Sequence, residues 1–325
     1  MEPGGTRFRH EALFYEGEDG FVERTSGFVR EGLEAGERVL VAVAEERAAP
    51  LRAELRSDAA DVEFLAPAGL GRNPARIIPA WRDWVERNTA RGTAFRGVGE
   101  PVRAPGSALE IRACETHEHL LNTAFDTGPA WWLLCPYDVA GLPEQVLAGA
   151  SGSHRLIHGD HVPRDAANFD ADAGLAAFHE PLPGLGPPLF EASFGLAELP
   201  GLRTAIEQRA GLLSLHGRSL ADFVLVADEL ASNSVRHGGG RGTIKLWQRE
   251  GHAVCEIADR GLIEDPLVGR RRPDLRLPEG GAGLWTANQL CDLVLIHSAA
   301  DSGTAVRAYL ASADRGRVVE RQPAE

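Results

Sequence analysis

The sequence has few cysteines, and no two of them have the spacing of a metal or redox motif. Its four cysteines, Cys114, Cys135, Cys255 and Cys291, lie far apart in a chain of 325 residues. A disulfide framework needs more cysteines in a shorter chain, and a zinc knuckle needs Cys-x-x-Cys spacing. The sequence therefore predicts free, buried thiols in a reducing compartment.

Long apolar runs and a positive charge excess are also missing. No stretch of about 18 consecutive apolar residues occurs, so we expect no transmembrane helix, and residues 1–10 lack the apolar core of a signal peptide. The formal net charge is -13, which disfavours direct binding to nucleic acid or to an anionic membrane. We expect a cytoplasmic protein that contacts neither DNA nor a membrane.

The composition is that of a globular protein with more than one domain. Hydrophobic residues make up 43% and charged residues 25% of the chain, and this length suggests about two domains. Residues 158–188 are rich in Pro, Gly, Asp and Ala without clear periodicity, which is typical of a linker. We expect domains at residues 1–157 and 189–312, with a polar tail at residues 313–325.

The first half alternates short apolar runs with longer amphipathic ones, which predicts an α/β domain with a largely parallel sheet. The predicted strands are Val39–Val43, Val62–Leu65, Thr93–Val98 and Trp131–Cys135. The predicted helices are Phe21–Glu34, Glu46–Ser57, Pro74–Ala90, Ser107–Phe125 and Pro143–Ala150.

In the second half helices and strands segregate, which predicts a layered α+β domain. The predicted elements are a strand at Leu189–Phe194, helices at Leu199–Leu213 and Ser219–His237, two further strands, a helix at Gly283–Cys291, and strands at Leu293–His297 and Ala305–Leu310.

The helix predicted at Ser219–His237 carries a polar face whose side chains could bind a metal ion and accept a proton. Ser219 is positioned to cap its start and Gly238 to end it. Glu229, Asn233 and His237 follow at intervals of four residues and share one face. A carboxylate and an amide one turn apart can supply a general base and an oxygen ligand for Mg²⁺, although a solvated polar face has the same pattern.

Three glycine-containing motifs follow this helix in order. Asp259-Arg-Gly261 ends a strand, Gly280 to Gly283 precede a helix, and Gly303-Thr304 precede the last strand. Asp259 could accept a hydrogen bond from an exocyclic amine such as that of adenine. Glycines before a helix let backbone N–H groups approach phosphate oxygens. Taken singly, each motif also fits an ordinary turn or loop; their joint order indicates a nucleotide site.

Residues 189–310 resemble the ATP-binding domain shared by gyrase B, histidine kinases and MutL. Within that superfamily, residues 229–238 and 283–292 are most similar to the anti-sigma factor serine kinases. The resemblance implies a two-layer α+β sandwich of the Bergerat, or GHKL, type that binds ATP and Mg²⁺. It assigns the metal to Asn233, adenine to Asp259 and the catalytic base to Glu229, with the nucleotide lined by His237, Gly261, Gly281, Gly283, Leu284 and Thr304.

Two features bear on the type of kinase. No phosphoacceptor histidine on a long dimerisation helix precedes the domain, which disfavours an ordinary two-component histidine kinase. Ala282 stands where related sequences often have a polar or basic residue, and Arg270-Arg-Arg272 lies further upstream. These arginines could fold over the phosphates, or they could form a solvated charged loop.

The first half lacks a phosphate-binding P-loop after its first predicted strand. Ligands of such folds sit at the carboxyl ends of strands, which nominates Glu45, Glu100 and residues 136–138. The phrases at residues 10–15, 32–43, 99–101 and 134–138, together with Glu110, Glu115 and Asn122, resemble the sensory domain first described in methanogens and methylotrophs. The resemblance covers residues 7–157 and implies a RecA-like parallel sheet without a P-loop that senses a small hydrocarbon-derived molecule.

Six residues are candidates for the sensor pocket, and none is chemically decisive. Ser107 and Glu110 have capping-box spacing, so a helix cap is an alternative role for Glu110. His117 and His119 are two residues apart on a helix and point in different directions, which disfavours a metal site with Cys114. The six candidates are His10, Glu100, Glu110, Glu115, Tyr137 and Asp138.

Together these features predict a signalling protein in which a sensor controls an ATP-Mg²⁺-dependent serine/threonine kinase. The partners implied by the resemblance are an anti-sigma factor antagonist of the STAS type and, indirectly, a sigma factor. The small-molecule ligand is unidentified, and a homodimer stays open. The alternatives are a catalytically silent ATP-binding switch and an atypical histidine kinase.

Overall fold

The computed structural model describes residues 8–65, 73–100, 107–158, 164–170, 173–274 and 282–312. The chain divides into two compact units, Met1–Ala176 and Ala177–Glu325, each with its own β-sheet and buried core. Among the described helices, none is both long and apolar enough to cross a membrane. The four cysteines are free thiols, and Cys135, Cys255 and Cys291 are buried.

The first unit is built on a largely parallel sheet. Within the described residues its strands are β1 (Arg9–Tyr15), β2 (Arg38–Ala42), β3 (Val62–Phe64), β4 (Phe95–Gly99), β5 (Trp132–Asp138), β6 (Leu156–Ile157) and β7 (Arg164–Asp165). Their spatial order is β3-β2-β4-β5-β1-β6-β7. Neighbours pair in parallel, except that β6 and β7 are antiparallel. The predicted α/β class of this half is confirmed.

Helices connect the parallel strands and bury apolar faces against them. They are α1 (Gly17–Glu34), α2 (Glu45–Leu55), α3 (Ile77–Thr89), α4 (Ala108–Phe125) and α5 (Glu144–Ser153), and α6 (Ala173–His179) follows at the division between the units. Phe21 and Phe28 of α1 share one buried cluster with Leu13, Val41 and Leu134 of the sheet. Each such side chain stabilises the fold by about 1.5–3 kcal/mol when fully buried.

The interior strand β1 is an element that the sequence patterns do not predict. It lies between β5 and β6, and its buried positions include His10 and Glu11, which are 3% and 0% exposed. These polar residues interrupt the apolar run by which a buried parallel strand is recognised. β1 therefore carries titratable side chains into the interior of the sheet.

The second unit has an antiparallel sheet packed against helices. Its described strands are β8 (Phe190–Gly195), β9 (Arg241–Arg249), β10 (His252–Asp259), β11 (Leu293–Ala299) and β12 (Gly303–Ala311), in the order β11-β12-β10-β9-β8. Its helices are α7 (Leu199–Glu207), α8 (Gly217–His237) and α9 (Ala282–Leu290). Helix α8 contacts β9, β10, β12 and both other helices. The predicted two-layer α+β class is confirmed.

Two local predictions in this unit are wrong. Helix α8 begins at Gly217, so Ser219 lies in its first turn and is not the N-cap; its hydroxyl accepts from the His216 N–H at 3.3 Å and donates to the His216 carbonyl at 2.9 Å. Helix α7 ends at Glu207 and gives way to turns before Leu213. The end of α8 at Gly238 is confirmed, with its N–H donating to the Ser234 carbonyl.

The proline-rich stretch before β8 packs along the second unit. The carbonyl of Gly186 accepts a hydrogen bond from the Trp247 indole at 3.0 Å, and the carbonyl of Leu185 accepts from Arg249 at 3.0 Å. The carbonyl of Pro183 accepts from Arg307 at 2.6 Å. These bonds hold residues 183–186 against strands β9 and β12.

Candidate functional site

A cavity of about 340 Å³ lies between α8, β10, the segment after β10, α9 and β12. This volume is within the range of about 300–1,000 Å³ typical of small-molecule sites. Its apolar lining is Leu230, Ile257, Leu262, Ile263, Val268, Leu284 and Val306, and its polar lining includes Asn233, Ser234, His237, Asp259, Glu264, Asp265 and Thr304. The mixture suits a ligand with an apolar ring and polar groups.

Asp259, the last residue of β10, is held rigidly at the cavity wall. One carboxylate oxygen, Oδ1, accepts from the Gly261 N–H at 2.7 Å, and Oδ2 accepts from the Ser234 hydroxyl of α8. A Cβ on Gly238 would lie 2.2 Å from the Asp259 carboxyl carbon, so glycine is required for this close approach. A carboxylate has about four lone-pair sites, which leaves Asp259 able to accept from a ligand amine.

Thr304 holds the segment that follows Asp259. Its hydroxyl donates to the Gly261 carbonyl at 2.9 Å, and its oxygen lies 2.7 Å from the Ser298 hydroxyl of β11. The Ser298 oxygen also accepts from the Ile263 N–H at 2.9 Å. Two hydroxyls on neighbouring strands therefore fix residues 261–263 at the edge of the cavity.

The start of α9 lies directly against Asn233. A Cβ on Gly283 would fall 2.5 Å from Asn233 Nδ2, closer than real contacts allow. The N-terminus of a helix presents free N–H groups and a partial positive charge, which favour phosphate oxygens. His237 lies one turn after Asn233 and also lines the cavity. Gly281, a further predicted nucleotide contact, lies outside the described residues.

Glu229 and the arginine segment are placed differently from the other candidates. Glu229 is half-buried on α8, one turn before Asn233, but among the described residues it is not part of the cavity lining. Arg270 is buried at 6% exposure, and Arg271 pairs with Asp265 at 2.7 Å.

The sensor candidates of the first unit separate into several places. Glu100 and Asp138 lie at the carboxyl ends of β4 and β5, where Arg47 approaches them at 3.4 and 3.6 Å. Glu45, nominated with them, pairs instead with Arg52 at 2.6 Å on the exposed surface.

Two further candidates have structural positions on α4. Glu110 accepts from the Ser107 N–H at 2.8 Å and completes the capping box, which confirms the alternative role. Glu115 lies beside α5, where a Cβ on Gly149 would be 3.2 Å from its Oε1. Glu110 thus acts as a helix cap, and Glu115 lies at the contact between α4 and α5.

His10 and Tyr137 belong to a buried cluster that sequence reasoning missed. The Tyr137 hydroxyl donates to Glu118 Oε2 at 3.1 Å, and His10 lies 3.3 Å from the Cys135 sulfur. Burial, followed by the neighbouring His154, lowers the pKa of His10 to about 4, and burial raises the pKa of the Cys135 thiol. Spacing along the chain could not reveal the cluster, because its members lie on different elements.

Comparison with known families identifies a domain in each half of the chain. Residues 9–155 match the family model of the methanogen/methylotroph DcmR sensory domain, abbreviated MEDS. Residues 193–310 match the model of the histidine kinase-like ATPase domain. The chain joins a MEDS domain to a histidine kinase-like ATPase domain. No curated protein matches the chain. A sensory and an ATP-using domain in one chain indicate a signalling regulator.

In the ATPase domain the described residues fit a magnesium nucleotide. The absence of a side chain on Gly283 leaves the start of α9 and the Asn233 amide free to face the same ligand, and the Asn233 oxygen is a donor that Mg²⁺ prefers. Asp259 lies in the same cavity with acceptor capacity for adenine, beside apolar side chains such as Ile257 and Val306.

Sequence reasoning missed two hydroxyls of the ATPase domain. Ser234 bonds Asp259, and Ser298 supports Thr304 and the Ile263 N–H. Ser234 stands beside Asn233 in the predicted motif of residues 229–238, but its hydrogen-bond partner, Asp259, lies 25 residues away along the chain. Its role depends on the packing of α8 against β10, which no local pattern reports.

Proposed function

We propose that the ATPase domain is an ATP-Mg²⁺-dependent serine/threonine protein kinase of the anti-sigma factor type, controlled by the MEDS domain. The observation that carries this proposal is the gathering of Asn233, Asp259 and Thr304 around one cavity at the start of α9. Glu229 lies one turn from Asn233 on the same helix.

Binding follows from the lining of the cavity. The adenine ring packs among apolar side chains such as Ile257 and Val306, and its exocyclic amine donates to Asp259. Ser234 and the Gly261 N–H hold the Asp259 carboxylate in place, so the acceptor needs no reorganisation when the base arrives. The phosphates extend towards the start of α9, where the helix N-terminus favours negative charge.

Phosphotransfer uses positioning and one proton acceptor. The Asn233 amide oxygen would hold Mg²⁺, which neutralises phosphate charge when bound. Glu229 accepts the proton of a serine hydroxyl on the partner as that oxygen bonds to the γ-phosphorus. The bond between the γ-phosphorus and the bridging oxygen of ADP breaks, and ADP leaves. A general base of this kind contributes about 10²–10⁴-fold to the rate.

A serine acceptor is favoured over a histidine acceptor within the chain. A phosphoacceptor histidine normally sits on a long dimerisation helix. In the described part of the chain that follows the first sheet and precedes the second in sequence, helix α6 (Ala173–His179) is short. We therefore propose an external acceptor, an anti-sigma factor antagonist of the STAS type, which links the kinase indirectly to a sigma factor.

One observation favours a second function, an ATP-binding switch without catalysis. Glu229 is not among the described residues that line the cavity. In such a switch, nucleotide occupancy would change a protein-binding face and no phosphate would be transferred. The two functions differ in their need for a carboxylate at position 229.

Phosphorylation assays separate the two functions. The full chain is incubated with labelled Mg-ATP and the candidate antagonist, and acid-stable phosphoserine is measured. We expect Glu229→Gln to lower the rate of phosphate transfer about 10²–10⁴-fold. The Kd for ATP should stay within about twofold, a much smaller change than the tenfold that corresponds to about 1.4 kcal/mol of binding free energy. Asn233→Ala should weaken Mg²⁺-dependent binding as well.

Asp222→Asn provides the matched control. Asp222 lies on the same helix and pairs with the exposed Arg218 at 3.5 Å, so its loss should leave transfer unchanged. Absence of phosphoserine with the wild-type chain, despite ATP binding, would favour the switch. Acid-labile phosphate on the partner would instead indicate an atypical histidine kinase.

A further inference from the structure

Four side chains of types that commonly bind metals meet inside the MEDS domain. His10 lies on β1, Cys135 on β5 and Glu118 on α4, and His154 directly follows α5. Their exposures are 3%, 1%, 3% and 0%, respectively. One ligand atom from each lies within 4.8 Å of all the others.

Three of the distances between these atoms are close to those of a tetrahedral ligand shell. His10 Nε2 lies 3.3 Å from Cys135 Sγ and 3.5 Å from Glu118 Oε2, and His154 Nε2 lies 3.2 Å from Glu118 Oε2. Bonds of about 2.0–2.3 Å at tetrahedral angles put neighbouring donor atoms about 3.3–3.6 Å apart. The remaining pairs lie within 4.8 Å, so movements of about 1 Å would let the four side chains share one ion.

Hydrogen bonds fix which nitrogen of each histidine faces the centre. His154 Nδ1 lies 2.8 Å from the Ala150 carbonyl, which can only accept, so Nδ1 carries the proton. The Asn122 amide donates to the Ser153 carbonyl at 2.7 Å, which directs its oxygen towards His10 Nδ1 at 3.2 Å. Both Nε2 atoms therefore present lone pairs, as metal-bound histidines with a second hydrogen bond do.

The centre of the cluster consequently contains hydrogen-bond acceptors that face each other. Among the described residues, His154 Nε2 makes no hydrogen bond, although it is buried and lies 3.2 Å from Glu118 Oε2. A lone pair and a carboxylate oxygen at this distance need a proton or a cation between them. A single cation satisfies Glu118 and both histidines together and also replaces the thiol proton of Cys135.

Charge balance favours a divalent ion. A carboxylate and a thiolate with two neutral imidazoles carry two negative charges, which a divalent cation neutralises in a site that excludes water. The Tyr137 hydroxyl, 3.1 Å from Glu118 Oε2, supports the carboxylate as an outer hydrogen bond.

We propose that His10, Glu118, Cys135 and His154 bind one divalent transition-metal ion of the zinc class in the MEDS domain. Sulfur, nitrogen and oxygen donors in tetrahedral arrangement are the ligand set of zinc. On binding, the thiol proton of Cys135 passes to solvent and a metal–sulfur bond forms. The chain supplies four ligands, so the ion stabilises the folded domain and leaves no open position for a reactant.

Metal analysis of the full chain tests this site. The protein is produced with zinc supplied during expression, and metal content is measured after extensive dialysis. We expect one zinc per chain, and a melting temperature that falls when the ion is removed by a chelator. A chain that retains no zinc, and takes up neither zinc nor cobalt on refolding, would overturn the proposal.

Cobalt substitution and matched cysteine variants identify the ligands. Bound Co²⁺ should show the intense visible bands of a tetrahedral site and a thiolate charge-transfer band. The charge-transfer band should disappear in Cys135→Ser and persist in Cys114→Ser, whose cysteine lies on α4 outside the cluster. If Cys135→Ser does not fold, the wild-type spectrum decides, because cobalt bound without a thiolate band contradicts the site.

Discussion

Replacing Gly283 with alanine should displace Asn233 without damaging the fold. The new Cβ would lie 2.5 Å from Asn233 Nδ2, whereas heavy atoms in contact prefer about 3.5–4.0 Å. The Asn233 amide must therefore retreat by about 1 Å. Because Nδ2 is at the far end of the half-buried Asn233 side chain, this amide can move without shifting the backbone.

The structural and functional costs of this substitution differ in size. Alanine inside a helix is favoured over glycine by about 0.5–1 kcal/mol, so the free energy of unfolding should be unchanged or slightly higher. A misplacement of about 1 Å at a positioning group can lower a rate by about 10²-fold. We expect phosphotransfer to fall by about this factor while the melting temperature is maintained.

Gly201→Ala is the matched control for this experiment. Gly201 lies in α7 of the same domain, and a Cβ there meets nothing within 4 Å. Both variants are compared by thermal unfolding, by titration with Mg-ATP and by phosphoserine formation. If Gly283→Ala transfers phosphate as fast as Gly201→Ala, Asn233 does not hold the metal in the way inferred.

Two further substitutions test the ATPase domain. Asp259→Asn should weaken adenine nucleotide binding about 10–100-fold in calorimetric titration, because hydrogen bonds to charged groups are worth about 1.5–3 kcal/mol; an unchanged Kd would exclude Asp259 as the adenine acceptor. Glu256→Ala should lower the free energy of unfolding, measured in urea, by about 3 kcal/mol, because the buried Arg307 loses its ion pair with this carboxylate. Glu191→Ala removes the exposed pair with Lys245 and should cost less than about 1 kcal/mol; equal losses would refute the distinction.

Much of the ATPase domain could be predicted because its signals are local. The buried residues Phe223, Ala227 and Leu230 of α8 recur at helical spacing, and Gly238 ends the helix as predicted. Asp259 ends β10 and Thr304 lies at the start of β12; these strands pair directly, so their register brings the two residues together. Motifs at the ends of regular elements thus meet in one cavity because neighbouring strands pair.

The MEDS domain was less predictable because its polar residues are buried. His10 and Glu11 hide the interior strand β1 from sequence patterns, since a buried parallel strand is recognised by continuous apolar character. Cys135 comes close to His10 only because β1 pairs with β5, a contact between residues 125 positions apart. Glu118 and His154 join them through helix packing, which spacing along the chain does not encode.

The most direct test of the ATP site is a structure of the full chain with Mn²⁺ and a non-hydrolysable ATP analogue. We expect the exocyclic amine of adenine at hydrogen-bond distance, about 2.7–3.2 Å, from the Asp259 carboxylate. The anomalous signal of manganese should lie beside the Asn233 amide oxygen, near the start of α9. Nucleotide bound outside this cavity, or manganese remote from Asn233, would contradict the proposed ATP-dependent kinase.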